Sequence, residues 1–197
     1  MPCCGQSRRM GTPKPMLKIG SQTFLEHAIF TLKKGGCERV LVCLPDKQGP
    51  LAAKTLQAGG HVLQNTDPEK GPISSLQIGL KNLTPEIEGA LFCPVDYPLI
   101  KIKTVQTLVD NFQKTDAPLT FPVFKNERGH PVIFHRKIFR KLLKDDLPEG
   151  ARTVVLQNLS LAHLVKTEDS GVTIDIDDMA TYRKHFPDEY RNRFSAR

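Results

Sequence analysis

Short apolar clusters of strand length recur along this chain with helix-patterned segments between them, and that alternation limits the fold more than any other feature. Residues 39–44, 61–64 and 89–94 are such clusters, and each is followed by an amphipathic or glycine-started segment. Parallel strands connected through helices have this signature, so the chain is predicted to be α/β with a largely parallel sheet. Phe24, Leu25, Ala28, Ile29 and Leu32 fall at helical spacing, and Gly35-Gly36 stops that helix before the strand carrying Val40, Leu41 and Val42. Residues 118–124 and 131–135 are two extended candidates joined by the polar turn 125–129, an antiparallel excursion that makes the sheet mixed. Residues 151–158 are expected to form a helix, 162–166 a short strand and 179–185 a further helix. No internal repeat, low-complexity tract or linker is visible. With 197 residues and 39% hydrophobic content, one domain spanning residues 1–197 is expected to bury one substantial core.

The formal net charge of +7 favours anionic partners, of which phosphorylated small molecules, nucleic acid and an acidic membrane surface are the candidates. The basic residues sit in short groups such as Arg8-Arg9, Lys33-Lys34 and Arg136-Lys137, and aromatics interleave with base only at residues 191–197. That tail is read as a solvated final helix, so neither nucleic acid nor a membrane is an expected partner. No stretch approaches the ~18–20 apolar residues of a membrane span, and Met1-Pro2-Cys3-Cys4-Gly5 does not resemble an export leader. Five scattered cysteines without a CxxC pair fit free thiols, and a cytoplasmic location is expected.

Chemistry is concentrated first in Gly5-Gln6-Ser7-Arg8-Arg9-Met10-Gly11-Thr12-Pro13-Lys14, where two glycines, a hydroxyl, two arginines and a lysine share one turn-prone stretch. Glycine lets backbone N–H groups approach phosphate oxygens, and Arg and Lys neutralise charge on a transferring phosphoryl group. The GxxxxGK[ST] spacing of a P-loop is absent. On physical grounds alone a basic, glycine-containing stretch reads equally well as disorder.

Gly5-x-Ser7-x-Arg9-Met10-Gly11-x-x-Lys14, followed by Leu17 and Gly20, resembles the signature loop of the molybdenum cofactor nucleotidyltransferases, the MobA-like NTP transferases. The likeness continues through Asn65 with Gly71, Ser74, Ser75, Leu76 and Gly79, then Pro94-Val95-Asp96-Tyr97-Pro98. It extends to Gly129-His130-Pro131-Val132-Ile133-Phe134, Gly150-Ala151-Arg152 and Asp175-Ile176-Asp177. The resemblance implies a Rossmann-like, three-layer nucleotidyltransferase (glycosyltransferase-A-like) fold with a mixed, mostly parallel sheet. It implies transfer of a nucleoside monophosphate from an NTP to the phosphate of a pterin acceptor, with Mg²⁺ or Mn²⁺, and contact with proteins that mature molybdoenzymes. Pro13 before Lys14 and the GHPVIF run are similar to the cytidylyl branch, so CTP is favoured over GTP.

By the same resemblance, Gly5, Ser7, Arg9, Gly11, Lys14, Asn65, Gly71, Ser74 and Ser75 contact the nucleotide, and Arg9, Lys14 and Asp96 carry catalysis. Asp96 follows an apolar strand at a Pro-bounded turn, where ligands of open α/β sheets bind, and a carboxylate there suits a magnesium ion. The family pattern offers Asp175 or Asp177 as the second metal ligand; in an extended run both point to one face. An N-cap role for Asp177 and a turn-forming role for Asp96 are the plain alternatives. Ser74 and Ser75 are expected to expose hydroxyls at a helix start, or else to cap it. His130, Pro131 and Arg152 are expected to hold the acceptor, with a structural histidine and a solvated arginine as the alternatives. No GxSxG elbow or Cys/His pairing points to a covalent enzyme. Two further readings stay open: a sugar phosphate or other phosphorylated acceptor, and a catalytically inactive nucleotide-binding paralogue.

One departure stands out. The family has an apolar strand before the glycine loop, whereas only Met1, Pro2, Cys3 and Cys4 precede Gly5, with cysteines in place of the usual alanines. A missing or truncated first strand is expected, its start lying upstream or its place filled by another segment. The central strand matters because each buried side chain contributes about 1.5–3 kcal/mol against a total stability of ~5–15 kcal/mol.

Overall fold

A computed structural model describes residues 1–3 and 11–194. A small hairpin of β1 (Lys18–Ile19) and β2 (Gln22–Thr23) leads into α1 (Phe24–Lys34), which opens on a capping box. The Thr23 hydroxyl accepts the Glu26 amide, and the Glu26 carboxylate accepts the Thr23 amide at 2.7 Å, so two orphan donors of the first turn are satisfied reciprocally. Then come β3 (Leu41–Leu44), α2 (Pro50–Gln57), β4 (His61–Gln64), α3 (Pro72–Lys81), β5 (Gly89–Phe92) and α4 (Ile102–Phe112). The second half holds β6 (Leu119–Phe124), β7 (Glu127–Arg128), β8 (Val132–His135), α5 (Phe139–Leu142) and α6 (Ala151–Gln157). It closes with β9 (His163–Lys166), α7 (Met179–His185) and α8 (Pro187–Phe194).

Strands β3 and β4 pair in parallel, Leu41 opposite His61. β8 runs antiparallel to both β5 and β6, and β9 joins β6 in parallel, so β5, β6 and β9 share one direction while β8 and the β7 hairpin strand oppose it. The sheet is therefore mixed and mostly parallel, as the alternation of elements implied. Side chains of β5 alternate: Leu91 packs with α1 and α4 residues, whereas Ala90 and Phe92 pack with α3, α5 and α6 residues. This period of two places helices on both faces and makes three layers.

The place of the expected missing strand is partly taken. Met1 to Cys3 run parallel to β3: the Cys43 amide donates to Met1 O at 3.0 Å and the Cys3 amide to Cys43 O at 3.1 Å, with Cys3 buried in the core. Cys37 and Cys93 are free thiols, and burial pushes Cys37 up to about 11 and Cys93 up to about 12, so they behave as small apolar groups. Helix α8 is less detached than a solvated tail. Glu189 accepts the Gly20 amide at 2.9 Å, and Tyr182 of α7, 1% exposed, donates its hydroxyl to Lys18 O. Among the described residues no helix is long and apolar enough to cross a membrane.

Candidate active site

The run Cys93 to Val95, with Cys93 and Val95 buried, carries the chain past the end of β5 to Asp96. Asp96 Oδ2 accepts the Lys14 ammonium at 3.0 Å, although 82 positions separate the two residues. Lys14 is set by a 3-10 turn, Lys14–Met16, that starts after Pro13 and closes with the Leu17 amide on Lys14 O. The same ammonium donates to Asp177 Oδ1. Asp177 arrives because the Ile176 amide donates to the Asp96 carbonyl at 2.8 Å while the Ile176 side chain is fully buried, leaving Asp175 and Asp177 exposed on either side of it. Burial works against the charge on Lys14, but its hydrogen bond to Asp177 and the field of and bond to Asp96 outweigh it, so its pKa is raised.

Tyr97 adjoins all three carboxylates. Burial first, then the charges of Asp175, Asp96 and Asp177, push its phenol up to about 12. His130 packs its ring on Tyr97, centroids 4.6 Å apart, and its amide donates to Val172 O at 2.8 Å. The bond to the buried Pro131 is cis. Burial lowers the His130 pKa against the opposing pull of Asp96, the Phe92 backbone and Asp175, so the ring is neutral at pH 7.

The donors fit a hard divalent cation. Asp96 Oδ1 is buried and has no hydrogen-bond partner among the described residues, a costly arrangement for a carboxylate oxygen unless something positive completes it. Asp177 adds a second oxygen donor across the Lys14 ammonium, and Asp175 lies on the same exposed edge. Among the described residues no group of three His, Cys, Asp or Glu is placed to hold a metal ion. The N-cap of α7 is Asp178, whose carboxylate accepts the Thr181 amide at 2.7 Å, so the capping role considered for Asp177 belongs to its neighbour.

A second group lies after β4. Asn65, 1% exposed, donates from Nδ2 to Ser74 Oγ at 2.8 Å and to Ser75 Oγ at 3.0 Å, and its Oδ1 accepts the Asp67 amide. The expectation of exposed hydroxyls is corrected here: both serines are buried and held by Asn65, and Ser74 Oγ donates to Gly71 O. What they shape is the path of the loop into α3. Gly71 makes that path with φ 74° and ψ −166°, a conformation other residues avoid. Gly11 is exposed with φ 58°.

Arg152 stands on the first turn of α6, exposed, with Glu149 at 3.8 Å, and is not drawn into the carboxylate cluster. The preceding Gly150 packs close to Ile73, which sets that turn beside the start of α3. Gly5, Ser7 and Arg9 lie outside the described residues. Sequence reasoning did not single out Tyr97 or the buried Asp169 for a role.

Residues 3–163 match the family model described as the MobA-like NTP transferase domain. The molybdenum cofactor guanylyltransferase of Nitrobacter hamburgensis is 29% identical over 153 residues, covering 73% of this chain and 71% of that protein. The nicotine blue oxidoreductase of Paenarthrobacter nicotinovorans is 25% identical over 192 residues, 88% of each chain. Among solved structures, Rv0371c from Mycobacterium tuberculosis H37Rv superposes with a TM-score of 0.77 at 22% identity, covering 94% of this chain and 95% of that one. Its complex with manganese gives 0.72 at 20% identity, with 95% and 96% covered.

Proposed function

The chain belongs to the MobA-like NTP transferase family and is a nucleotidyltransferase, and we propose that it transfers CMP from CTP to the phosphate of molybdopterin in the cytoplasm, releasing pyrophosphate. One observation carries the reading: Lys14, at the exit of the glycine loop, meets Asp96 and Asp177 where β5 ends. A cationic group and oxygen donors at one point are what a triphosphate with a divalent ion requires.

In this reading Asp96 and Asp177 would hold Mg²⁺, with Mn²⁺ as a substitute and Asp175 as a further donor, and the bound ion would supply neutralisation of charge on the triphosphate. Lys14 exchanges its carboxylate partners for phosphate oxygens when the nucleotide arrives, and Arg9 with the backbone of Gly5, Ser7 and Gly11 completes the cradle. Asn65, Ser74, Ser75 and Gly71 shape the loop against which the nucleotide lies. His130 and Pro131, backed by Tyr97, form a wall for the pterin, and Arg152 takes the acceptor phosphate. An oxygen of that phosphate attacks the α-phosphorus, the bond to the bridging oxygen breaks, and pyrophosphate departs. Positioning and charge neutralisation suffice, so no enzyme nucleophile is required.

A second reading substitutes GTP, because the relative from Nitrobacter hamburgensis is named a guanylyltransferase. The test is pyrophosphate release with molybdopterin and each of CTP, GTP, ATP and UTP. Turnover with CTP supports the first reading, turnover with GTP alone selects the second, and turnover only when a sugar phosphate replaces the pterin overturns the acceptor in both.

A further inference from the structure

We infer that Asp169 is a positioning residue that holds the Asp96 loop and the Asp175–Asp177 segment in register. Asp169 is 4% exposed, and no lysine, arginine or histidine pairs with it among the described residues. Its carboxylate is instead satisfied by neutral donors from two directions. Oδ2 accepts the Lys101 amide at 2.8 Å and the Thr104 hydroxyl at 2.6 Å, both at the start of α4; Oδ1 accepts the Gly171 amide at 3.0 Å. A buried anion carries a desolvation cost that a hydrophobic side chain would avoid, so its presence points to what it fastens rather than to packing.

What it fastens is the support of the site. The Asp96-Tyr97-Pro98 turn runs through Leu99 and Ile100 directly into Lys101, and the segment after Gly171 runs through Val172 to Asp175 and Asp177. The contact between the two is close: a β-carbon on Gly171 would lie 2.2 Å from the Leu99 carbonyl oxygen, and one on Gly129 would lie 2.3 Å from Val172 O. Val172 O in turn accepts the His130 amide, and Asp96 O accepts the Ile176 amide. Asp169 therefore sits at the junction from which Asp96, Asp177 and His130 all take their places, and it acts on them through the backbone of Lys101 and Gly171.

The inference rests on the reading of Asp96 and Asp177 as a divalent-ion site, and its test separates the two. Asp169→Asn keeps the volume but removes the charge and turns an amide donor toward either the Lys101 amide or the Gly171 amide, whichever side its nitrogen takes; Thr104→Val removes one donor only. Each variant is compared with the parent protein by thermal unfolding, by amide hydrogen exchange resolved over residues 126–135 and 170–178, and by Mn²⁺ binding followed by electron paramagnetic resonance. Well below the unfolding temperature, Asp169→Asn is expected to speed exchange in both segments and weaken Mn²⁺ binding about tenfold, the size of one charged hydrogen bond, while residues 41–64 keep their protection. Thr104→Val moves both readouts the same way by less, and carries the test if Asp169→Asn does not fold. A lowered unfolding temperature with parent-like exchange and Mn²⁺ affinity would overturn the inference, since Asp169 would then only stabilise α4. A parent protein that holds no Mn²⁺ counts against the metal reading, and the exchange measurement then decides the role of Asp169.

Discussion

Lys14→Ala is expected to have opposite effects on metal binding and on turnover. In the free protein the Lys14 ammonium occupies the space between Asp96 and Asp177, its side chain 16% exposed against 24% and 50% for the two aspartates. A divalent ion that bridges Asp96 and Asp177 without nucleotide takes the place of the ammonium lying between them and so breaks the more buried of these contacts, a charge-assisted hydrogen bond worth about 1.5–3 kcal/mol. The half-exposed contact with Asp177 adds little, roughly 0–1 kcal/mol. Since about 1.4 kcal/mol is a factor of ten in affinity, removing Lys14 should tighten binding of Mn²⁺ alone by roughly ten- to a hundredfold. Turnover should nevertheless be lost, because the alanine cannot follow the triphosphate. Titration of free Mn²⁺ by electron paramagnetic resonance, without nucleotide, reads the first effect, and pyrophosphate release reads the second. Equal or weaker Mn²⁺ binding by Lys14→Ala would refute the reasoning, because Lys14 and the ion would then not compete for the same carboxylates.

Three further outcomes are expected. Asn65→Ala leaves two buried serine hydroxyls without their donor and should cost roughly 2 kcal/mol in denaturant unfolding, with a raised KM for NTP as the loop into α3 loosens. Gly71→Ala forces a side chain into a glycine-only conformation and should cost about 1–3 kcal/mol by the same measurement. Burial disfavours the Glu26 carboxylate, but hydrogen bonds from Thr23 and Lys54 prevail and lower its pKa from 4.5 to about 2. Its contribution is therefore complete above the unfolded value and disappears as pH falls through the folded one. Glu26→Gln should be less stable than the parent at pH 7, and the gap should narrow between pH 4.5 and pH 2.

The layered fold was legible because β3, β4 and β5 fall on short apolar clusters separated by helix-patterned segments. The meeting of Lys14 with Asp96 was implied by the family resemblance; for Asp96 there was also a topological reason, since ligands of open α/β sheets gather beyond the carboxyl ends of strands and Asp96 follows such an end. Other parts depend on contacts that no local pattern records. Asp169 finds the Lys101 amide 68 positions away, and a backbone donor has no sequence signature. Asn65 reaches nine and ten positions forward to bury hydroxyls that look like free caps from sequence alone. In Asp177-Asp178 the choice of N-cap depends on a one-residue register, which the structure resolves in favour of Asp178. The parallel pairing of Met1 to Cys3 with β3 was hidden because three residues are too few to show a strand pattern.

The most direct test of the central claim is pyrophosphate release by the parent protein and by Asp96→Asn, with CTP, molybdopterin and Mg²⁺, before and after chelation. The account predicts release by the parent that stops on chelation, and a loss of at least a hundredfold in Asp96→Asn with a cooperative unfolding transition retained, on the scale of removing one charge-stabilising group. Undiminished release by Asp96→Asn, or release indifferent to chelation, would contradict it.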